Sequence, residues 1–429
     1  MDKHQRVIQA ALELRDELPV LLGADYLQAD RGLATLIEKA IREPSGESTT
    51  AIIKFLEQWP QVKQRFNELL TGSWRGAVAP VSAPLPAATS SPNEPPPTAD
   101  GYRVVEVLYA TDRKATGRPQ PDIYFSGERS PSHDLAYGKC EVSIPGGHKR
   151  GILESRGVLH WVLKADPNKH VMVLSLESLS NSKFADAVAA RLGAPDDPQA
   201  FVFVHGYNVP FHDAVRRAAQ LHDDLKFPGA TICFSWPSRG EFLGYGADGD
   251  SAQWAAPHLT ELVRHLRTID SRIRIHLVAH SMGNRVMTMA LQEMVMKKEN
   301  PENFVHQIVL AAPDIDRDVF DQLAQAIRAA GQRVSLYASS NDRALWVSKL
   351  LHWGPRAGDS GADLVVCEGI DTIDASQVDS SLLSLRHSYF SDRLSMLADL
   401  SELIRHNTPP DKRPGLQQAL GGQYWVMQP

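Results

Sequence analysis

The sequence predicts an α/β domain, a mostly parallel sheet with helices on both faces, preceded by a separate small all-α module. Three observations carry this. From Gly101 onward, short apolar runs alternate with longer stretches of helical period, the pattern of strand–helix–strand units. Before Gly72, apolar residues repeat only at helical spacing. Between the two, residues 76–100 read GAVAPVSAPLPAATSSPNEPPPTAD, with prolines at 80, 84, 86, 92, 95, 96 and 97. Proline fixes φ and removes a backbone donor, so this stretch is excluded from helix and inner strand and reads as a semi-extended linker.

In chain order, residues 1–75 form the helical module. Val7, Ile8, Ala11 and Leu12 share one helical face, as do Leu33, Ile37, Ala40 and Ile41. Ser48 is positioned to cap a third segment carrying Ile52, Leu56 and Trp59; Pro60 should break it, after which Val62, Phe66, Leu69 and Leu70 resume the pattern. The module holds no cluster of nucleophile, base or metal ligands. A flexible tether is superfluous for a cap that packs permanently, so the module reads as an adapter for a protein partner.

Residues 101–410 form the main domain. VVEVLYA, KCEVSIP and HVMVLSL are expected as antiparallel edge strands. FVFV (201–204), ATICFSW (230–236), IRIHLVAH (273–280), FVHQIVLAA (304–312), RVSLYAS (333–339) and ADLVVCE (362–368) are nearly continuous apolar runs, as strands buried on both faces should be. DAVRRAAQLHDDL and APHLTELVRHLRTID supply helices between them. Residues 411–429 are a tail ending in QYWVMQP, whose aromatics are suited to dock on the domain or on a second subunit.

Composition narrows the function. The 429 residues include 45 basic and 51 acidic side chains, a net charge of -6, which argues against nucleic acid or anionic lipid as the main partner. Hydrophobic residues at 43% and charged residues at 22% provide a globular core and exclude global disorder. Cys140, Cys233 and Cys367 are too few and too scattered for a disulfide framework or zinc knuckle, and fit a reducing cytosol. The charged N-terminal stretch lacks a secretory signal, and no apolar run reaches membrane-spanning length, so the reading is cytoplasmic. No dinucleotide fingerprint or Walker loop occurs, and Asp248, Asp250 and Asp316 lack metal-site spacing, so no cofactor or metal is expected.

The chemistry concentrates after the strand at 273–280. Ala279-His280-Ser281-Met282-Gly283 is a small-x-Ser-x-Gly turn between a strand and a helix, which pushes the Ser281 hydroxyl out above the sheet and leaves the Met282 N–H facing a bound carbonyl. A serine needs a base and an orienting acid to become a nucleophile. Asp342, just after the strand at 333–339, is the favoured acid, with Asp314 or Asp316 as the alternative. His387, on the segment ahead of the final helix, is the favoured base; His352 and His406 are poorly placed. After FVFV, His205-Gly206-Tyr207-Asn208 offers a second oxyanion donor, the Tyr207 N–H, with Gly206 allowing close backbone approach. His205 itself reads as structural. The Gly- and aromatic-rich segment 235–254 is expected as an irregular loop at the mouth, with Tyr245 and Trp254 as candidate walls of a substrate pocket.

These strings in order (HGYNVPFHDAVRRAAQL, FSWPSRG, Tyr245-x-x-Asp248-x-x-Ser251-Ala252, VAHSMGNRV, APDID, YASSNDRAL and RHSYF) resemble a mainly bacterial family of uncharacterised α/β-hydrolases of esterase/lipase-like type, over roughly Val104 to Arg405. The resemblance implies an α/β-hydrolase fold and a hydrolytic activity, with Ser281 as nucleophile, Asp342 as acid and His387 as base; the expected substrate is a small-molecule or lipid ester. Residues 1–75 lie outside it and look like the small death-fold-like adapters that precede effector enzymes in bacterial conflict systems. A catalytically silent hydrolase fold used for binding is the alternative.

Overall fold

The structure, a computed structural model, describes scattered helical positions between residues 7 and 40 and residues 46–71, 101–154, 166–239, 245–297, 304–340, 354–378, 392–419 and 421–428. The chain divides into two compact units, Met1–Pro96 and Pro97–Pro429. The linker expected at 76–100 lies outside the described residues.

In the first unit, α1 (Gly46–Leu56) is followed by α2 (Pro60–Thr71). Pro60 opens α2, where its missing N–H costs nothing because that donor has no intrahelical partner anyway. Ser48 lies buried inside the first turn of α1 rather than capping it from outside, because the helix already begins at Gly46. Of the anticipated positions, Val7, Ala11, Leu33, Ile37, Ala40, Ile52, Leu56, Val62 and Phe66 are buried and Trp59 is half-buried, while Ile8, Leu12, Ile41 and the side chains of Leu69 and Leu70 lie outside the described residues.

The second unit is built on one eleven-stranded sheet in the order β12-β13-β11-β10-β9-β8-β6-β7-β1-β4-β5. Its strands are β1 (Tyr102–Thr111), β4 (Ala136–Pro145), β5 (Met172–Leu179), β6 (Gln199–Val204), β7 (Ala230–Ser235), β8 (Arg274–His280), β9 (Val305–Ala311), β10 (Gly331–Ala338), β11 (Asp371–Asp374), β12 (Leu416–Gln418) and β13 (Trp425–Met427). β2 (Arg113–Ala115) and β3 (Phe125–Arg129) pair separately as a short hairpin. The helices are α3 (Asn181–Ala189), α4 (Phe211–Leu225), α5 (Tyr245–Ile269), α6 (Gly283–Met296), α7 (Arg317–Ala330) and α8 (Asp392–His406). Among the described residues, no helix is long and apolar enough to cross a membrane.

Strands from β13 through β1 run parallel; β4 and β12 run antiparallel to them at the two sides, and the outermost β5 pairs antiparallel with β4. β6 and β7 are buried at every position, as helices on both faces require. The register aligns Val204 with Ala279, His280 with Ala311, Ala311 with Tyr337, and Ser235 with Thr111. The loops that follow β1, β6, β7, β8, β9 and β10 therefore leave the same edge of the sheet. After β6 the chain moves to β7 on one side and then returns to β8 on the other, so the gap between β6 and β8 is a topological switch point.

Four expectations change. VVEVLYA is an inner strand, antiparallel to β4 on one side and parallel to β7 on the other, because two further strands cover what would have been its free edge. ADLVVCE is not a strand: Val365 is buried while Val366 is exposed, and sheet pairing passes to Asp371–Asp374 beyond a turn at Gly369 with φ +79°. The segment 235–254 is helical from Tyr245 onward. Residues 411–429 are no separate tail but supply β12 and β13, with Ile373 paired to Trp425.

Candidate active site

Ser281 stands between the end of β8 and the start of α6 with φ +50°, a left-handed conformation that costs a non-glycine residue about 1–3 kcal/mol. The surroundings impose it. The Ser281 N–H donates to the Ala311 carbonyl at 3.0 Å, and the Ser281 carbonyl accepts from Asn284 N (3.1 Å), Asn284 Nδ2 (3.0 Å) and Asp314 N (3.2 Å). A Cβ on Gly283 would fall 2.3 Å from the His205 carbonyl oxygen and 2.7 Å from that of Val204, so only glycine lets α6 start this close to β6. The Ser281 hydroxyl is buried and has no hydrogen-bond partner among the described residues. It sits one residue before the buried Met282 and the N-terminus of α6, where backbone N–H groups and the helix dipole favour negative charge.

The 205–208 loop is packed directly against this turn. A Cβ on Gly206 would approach His280 Nδ1 to 2.9 Å and Ser281 Cβ to 3.1 Å. Asn208 takes a left-handed φ of +59°. Asp248, in the first turn of α5, accepts from Ser238 Oγ at 2.6 Å, from Arg239 N at 2.9 Å and from the Asn208 backbone, so one carboxylate ties three segments together. Burial outweighs those bonds and lifts its carboxyl above the usual range.

His205 is buried and stacked on Trp236, with ring centroids 5.1 Å apart and planes 9° from parallel. Trp236 Nε1 donates to the His205 carbonyl at 2.7 Å. Burial, and then the nearby Arg113 charge, push the His205 pKa well below the imidazole range, so it is neutral at pH 7. Arg113, at the start of β2, carries no local sequence signal. It is wholly buried, burial draws its guanidinium down to about 10, and it stays charged at neutral pH.

Of the two aromatics expected at the mouth, Tyr245 is beside the 205–208 loop, its ring 5.2 Å from that of Tyr207. Trp254 lies about 14 Å further along α5, packed with His258 (4.6 Å), His133 (5.8 Å) and the Arg129 guanidinium (5.5 Å). Tyr245 donates its hydroxyl proton to Asp314 and accepts from Arg285 Nη2 at 2.6 Å. Asp314 is also 3.3 Å from Arg285 Nη2 and 3.6 Å from Arg356 Nε, so its carboxylate is held between two guanidinium groups. Asp316 caps α7, accepting from Asp318 N (3.0 Å) and Val319 N (3.3 Å). Asp342 and His387 lie outside the described residues; β10 ends shortly before the first and α8 opens shortly after the second.

Among the described residues, one group, His148, Asp223 and Asp224, has the spacing of metal ligands. It is already charge-paired: Arg103 Nη2 lies 2.7 Å from Asp223, and His148 contacts Glu154 at 2.7 Å and Asp224 at 3.1 Å. These acids end α4, which starts near the 205–208 loop and runs about 22 Å to the opposite edge of the sheet. They take no part in the Ser281 site.

A parallel sheet with a serine on a strained strand-to-helix turn at its switch point defines an α/β hydrolase. The chain belongs to the family described as "Alpha/beta hydrolase of unknown function" (DUF900), whose model matches residues 180–406. It is similar to the uncharacterized protein alr1448 of Nostoc sp., at 27% identity over 37% of this chain and 52% of that protein. The chain thus spans about half the length of the curated relative it matches.

Proposed function

We propose that this protein is a serine hydrolase that cleaves an ester or other acyl bond through an acyl-enzyme. The observation that carries the proposal is the Ser281 turn: a left-handed non-glycine residue whose buried hydroxyl has no hydrogen-bond partner among the described residues, at the N-terminus of α6. Strain of this kind persists where the surroundings over-determine it, and it clusters at reactive sites. Ser281 attacks the substrate carbonyl as His387 takes its proton; Asp342 orients the imidazole and stabilises its charged form. The amides of Met282 and Tyr207 hold the oxyanion, and Gly206 leaves room for it. The leaving group departs with the proton from His387, and water, deprotonated by the same base, releases the acid. Asp342 is preferred to Asp314 because the Asp314 carboxylate is engaged by Tyr245, Arg285 and Arg356. Tyr245 borders the reacting centre and forms part of the acyl or alcohol subsite. Residues 1–75 act as an adapter for a protein partner, a role supported by the division of the chain into two compact units.

The test is turnover of a panel of p-nitrophenyl acyl esters by wild type, Ser281→Ala and His387→Ala. Both variants should be inactive, and the wild-type rate should rise with pH across the imidazole range. Turnover by Ser281→Ala at the wild-type rate would overturn the proposal.

A further inference from the structure

Arg113 precedes the part of the chain that the family model matches, yet it reaches into the loop beside Ser281. A guanidinium carries five N–H bonds in a planar fork, and each has an acceptor here. Nε donates to Ser235 Oγ at 2.9 Å; Nη1 donates to the carbonyls of Ser126 (3.3 Å) and Ser238 (2.9 Å); Nη2 donates to the Val209 carbonyl at 2.7 Å and to His205 Nε2 at 3.2 Å. None of these acceptors is a carboxylate. Asp112 and Asp248 favour its charge through space, but burial outweighs them, and a buried cation hydrogen-bonded only to neutral groups is costly.

The bond to His205 has a consequence for the oxyanion loop. Because Arg113 can only donate, His205 Nε2 presents its lone pair, and a neutral imidazole then carries its proton on Nδ1. That N–H donates to the Gly206 carbonyl at 2.8 Å. The alternative tautomer has an acceptor waiting, since the Trp236 carbonyl is 3.1 Å from Nε2; Arg113 excludes it. In a trans peptide the carbonyl of one residue and the N–H of the next point in opposite directions. Holding the Gly206 carbonyl toward His205 therefore turns the Tyr207 N–H away from His205, and Gly206 itself is packed against Ser281.

We propose that Arg113 is a positioning residue that selects the Nδ1–H tautomer of His205 and, through the Gly206 carbonyl, orients the Tyr207 N–H as an oxyanion donor. The inference rests on the hydrolase reading of the Ser281 site. Lysine cannot replace Arg113, because a single ammonium cannot span five acceptors arranged as a fork.

The experiment combines steady-state kinetics on a p-nitrophenyl acyl ester with ¹⁵N NMR of histidine-labelled full-length protein, for wild type, Arg113→Lys, His205→Asn and His205→Gln. An Asn amide stands where Nδ1–H stands, and a Gln amide where Nε2–H stands. Wild-type His205 should carry its proton on Nδ1. In Arg113→Lys the proton should move to Nε2, and kcat should fall on the order of 10²-fold, the loss expected for one oxyanion donor, with KM within about twofold. His205→Asn should retain at least about tenfold more kcat than His205→Gln. An Nε2–H tautomer in wild type, or equal kcat in the two His205 variants, would overturn the proposal, and both readings survive a poorly folding Arg113→Lys. If Ser281→Ala proved as active as wild type, the hydrolase reading itself would fail; wild-type turnover abolished by Ser281→Ala alongside a wrong tautomer would remove this inference alone.

Discussion

The two loops that meet at Ser281 are held by different means. The 279–283 turn takes its shape from backbone contacts: a left-handed serine bonded to the Ala311 carbonyl and the Asp314 N–H, small neighbours, and a glycine whose missing Cβ admits the His205 carbonyl. The 205–208 loop takes its shape from side chains brought from elsewhere, Arg113 from β2 and Asp248 from α5. A backbone-determined turn is written locally and is damaged by added volume. A side-chain-determined loop is written across the chain and is damaged by lost donors or charge.

The largest effect should come from the turn. Ser281→Ala removes the nucleophile and should lower kcat on the order of 10⁶-fold, while its melting temperature stays close to wild type. A smaller effect, on stability, follows from Gly283→Ala. The new methyl would meet backbone oxygen atoms that cannot swing aside, so denaturant unfolding should show a loss on the order of 3 kcal/mol. Gly246→Ala is the matched control. A Cβ there meets nothing within 4 Å, and Gly246 lies in a helix, so the change should be neutral or gain up to about 1 kcal/mol. Equal losses at both glycines would remove the steric account of the turn.

The two ends of α4 should titrate in opposite senses. At the far end, burial opposes charge on His148, but the hydrogen bonds and charges of Asp224 and Glu154 outweigh it and raise its pKa to about 9. Its folded value lies above the unfolded one near 6.5. This stabilisation is therefore full below about pH 6.5 and disappears as pH rises through about 9, at most ~3 kcal/mol. At the near end the folded pKa of His205 is depressed, first by burial and then by Arg113. Its contribution is present above about pH 6.5 and is lost as pH falls. Melting temperature against pH should fall on both flanks, and His148→Gln should flatten the alkaline flank alone. A slope unchanged by His148→Gln would show that the pair with Asp224 does not persist.

How much of this was legible follows the same division. The Ser281 turn and Gly206 are visible in the sequence because their sterics are local. Arg113 is not, since its partners lie 92 and 122 residues away for His205 and Ser235. Apolar runs report burial but not pairing: VVEVLYA reads as an edge although β4 and β5 extend the sheet past it, and ADLVVCE reads as a strand although Val365 alone in it is buried. Gly246 and Gly249 make the start of α5 look like loop, yet the bonds that Asp248 accepts from Ser238, Arg239 and Asn208 hold a helix there, a tertiary override of weak propensity. Trp254 reads as a neighbour of Tyr245 by proximity in sequence, but helical rise carries it away to Arg129, His133 and His258.

The smallest effect on catalysis should come from the first unit. Deleting residues 1–100 should leave ester turnover within about twofold of wild type while abolishing capture of a protein partner. Loss of turnover with the main domain still folded would mean that the module contributes to the reaction.

The most direct test of the central claim is fluorophosphonate labelling of wild type and Ser281→Ala, read by intact mass and by mapping the modified peptide. The account predicts a single adduct on Ser281 in wild type and none in the variant. Equal labelling of both, or a folded wild type that hydrolyses esters with the adduct on another residue, would contradict it.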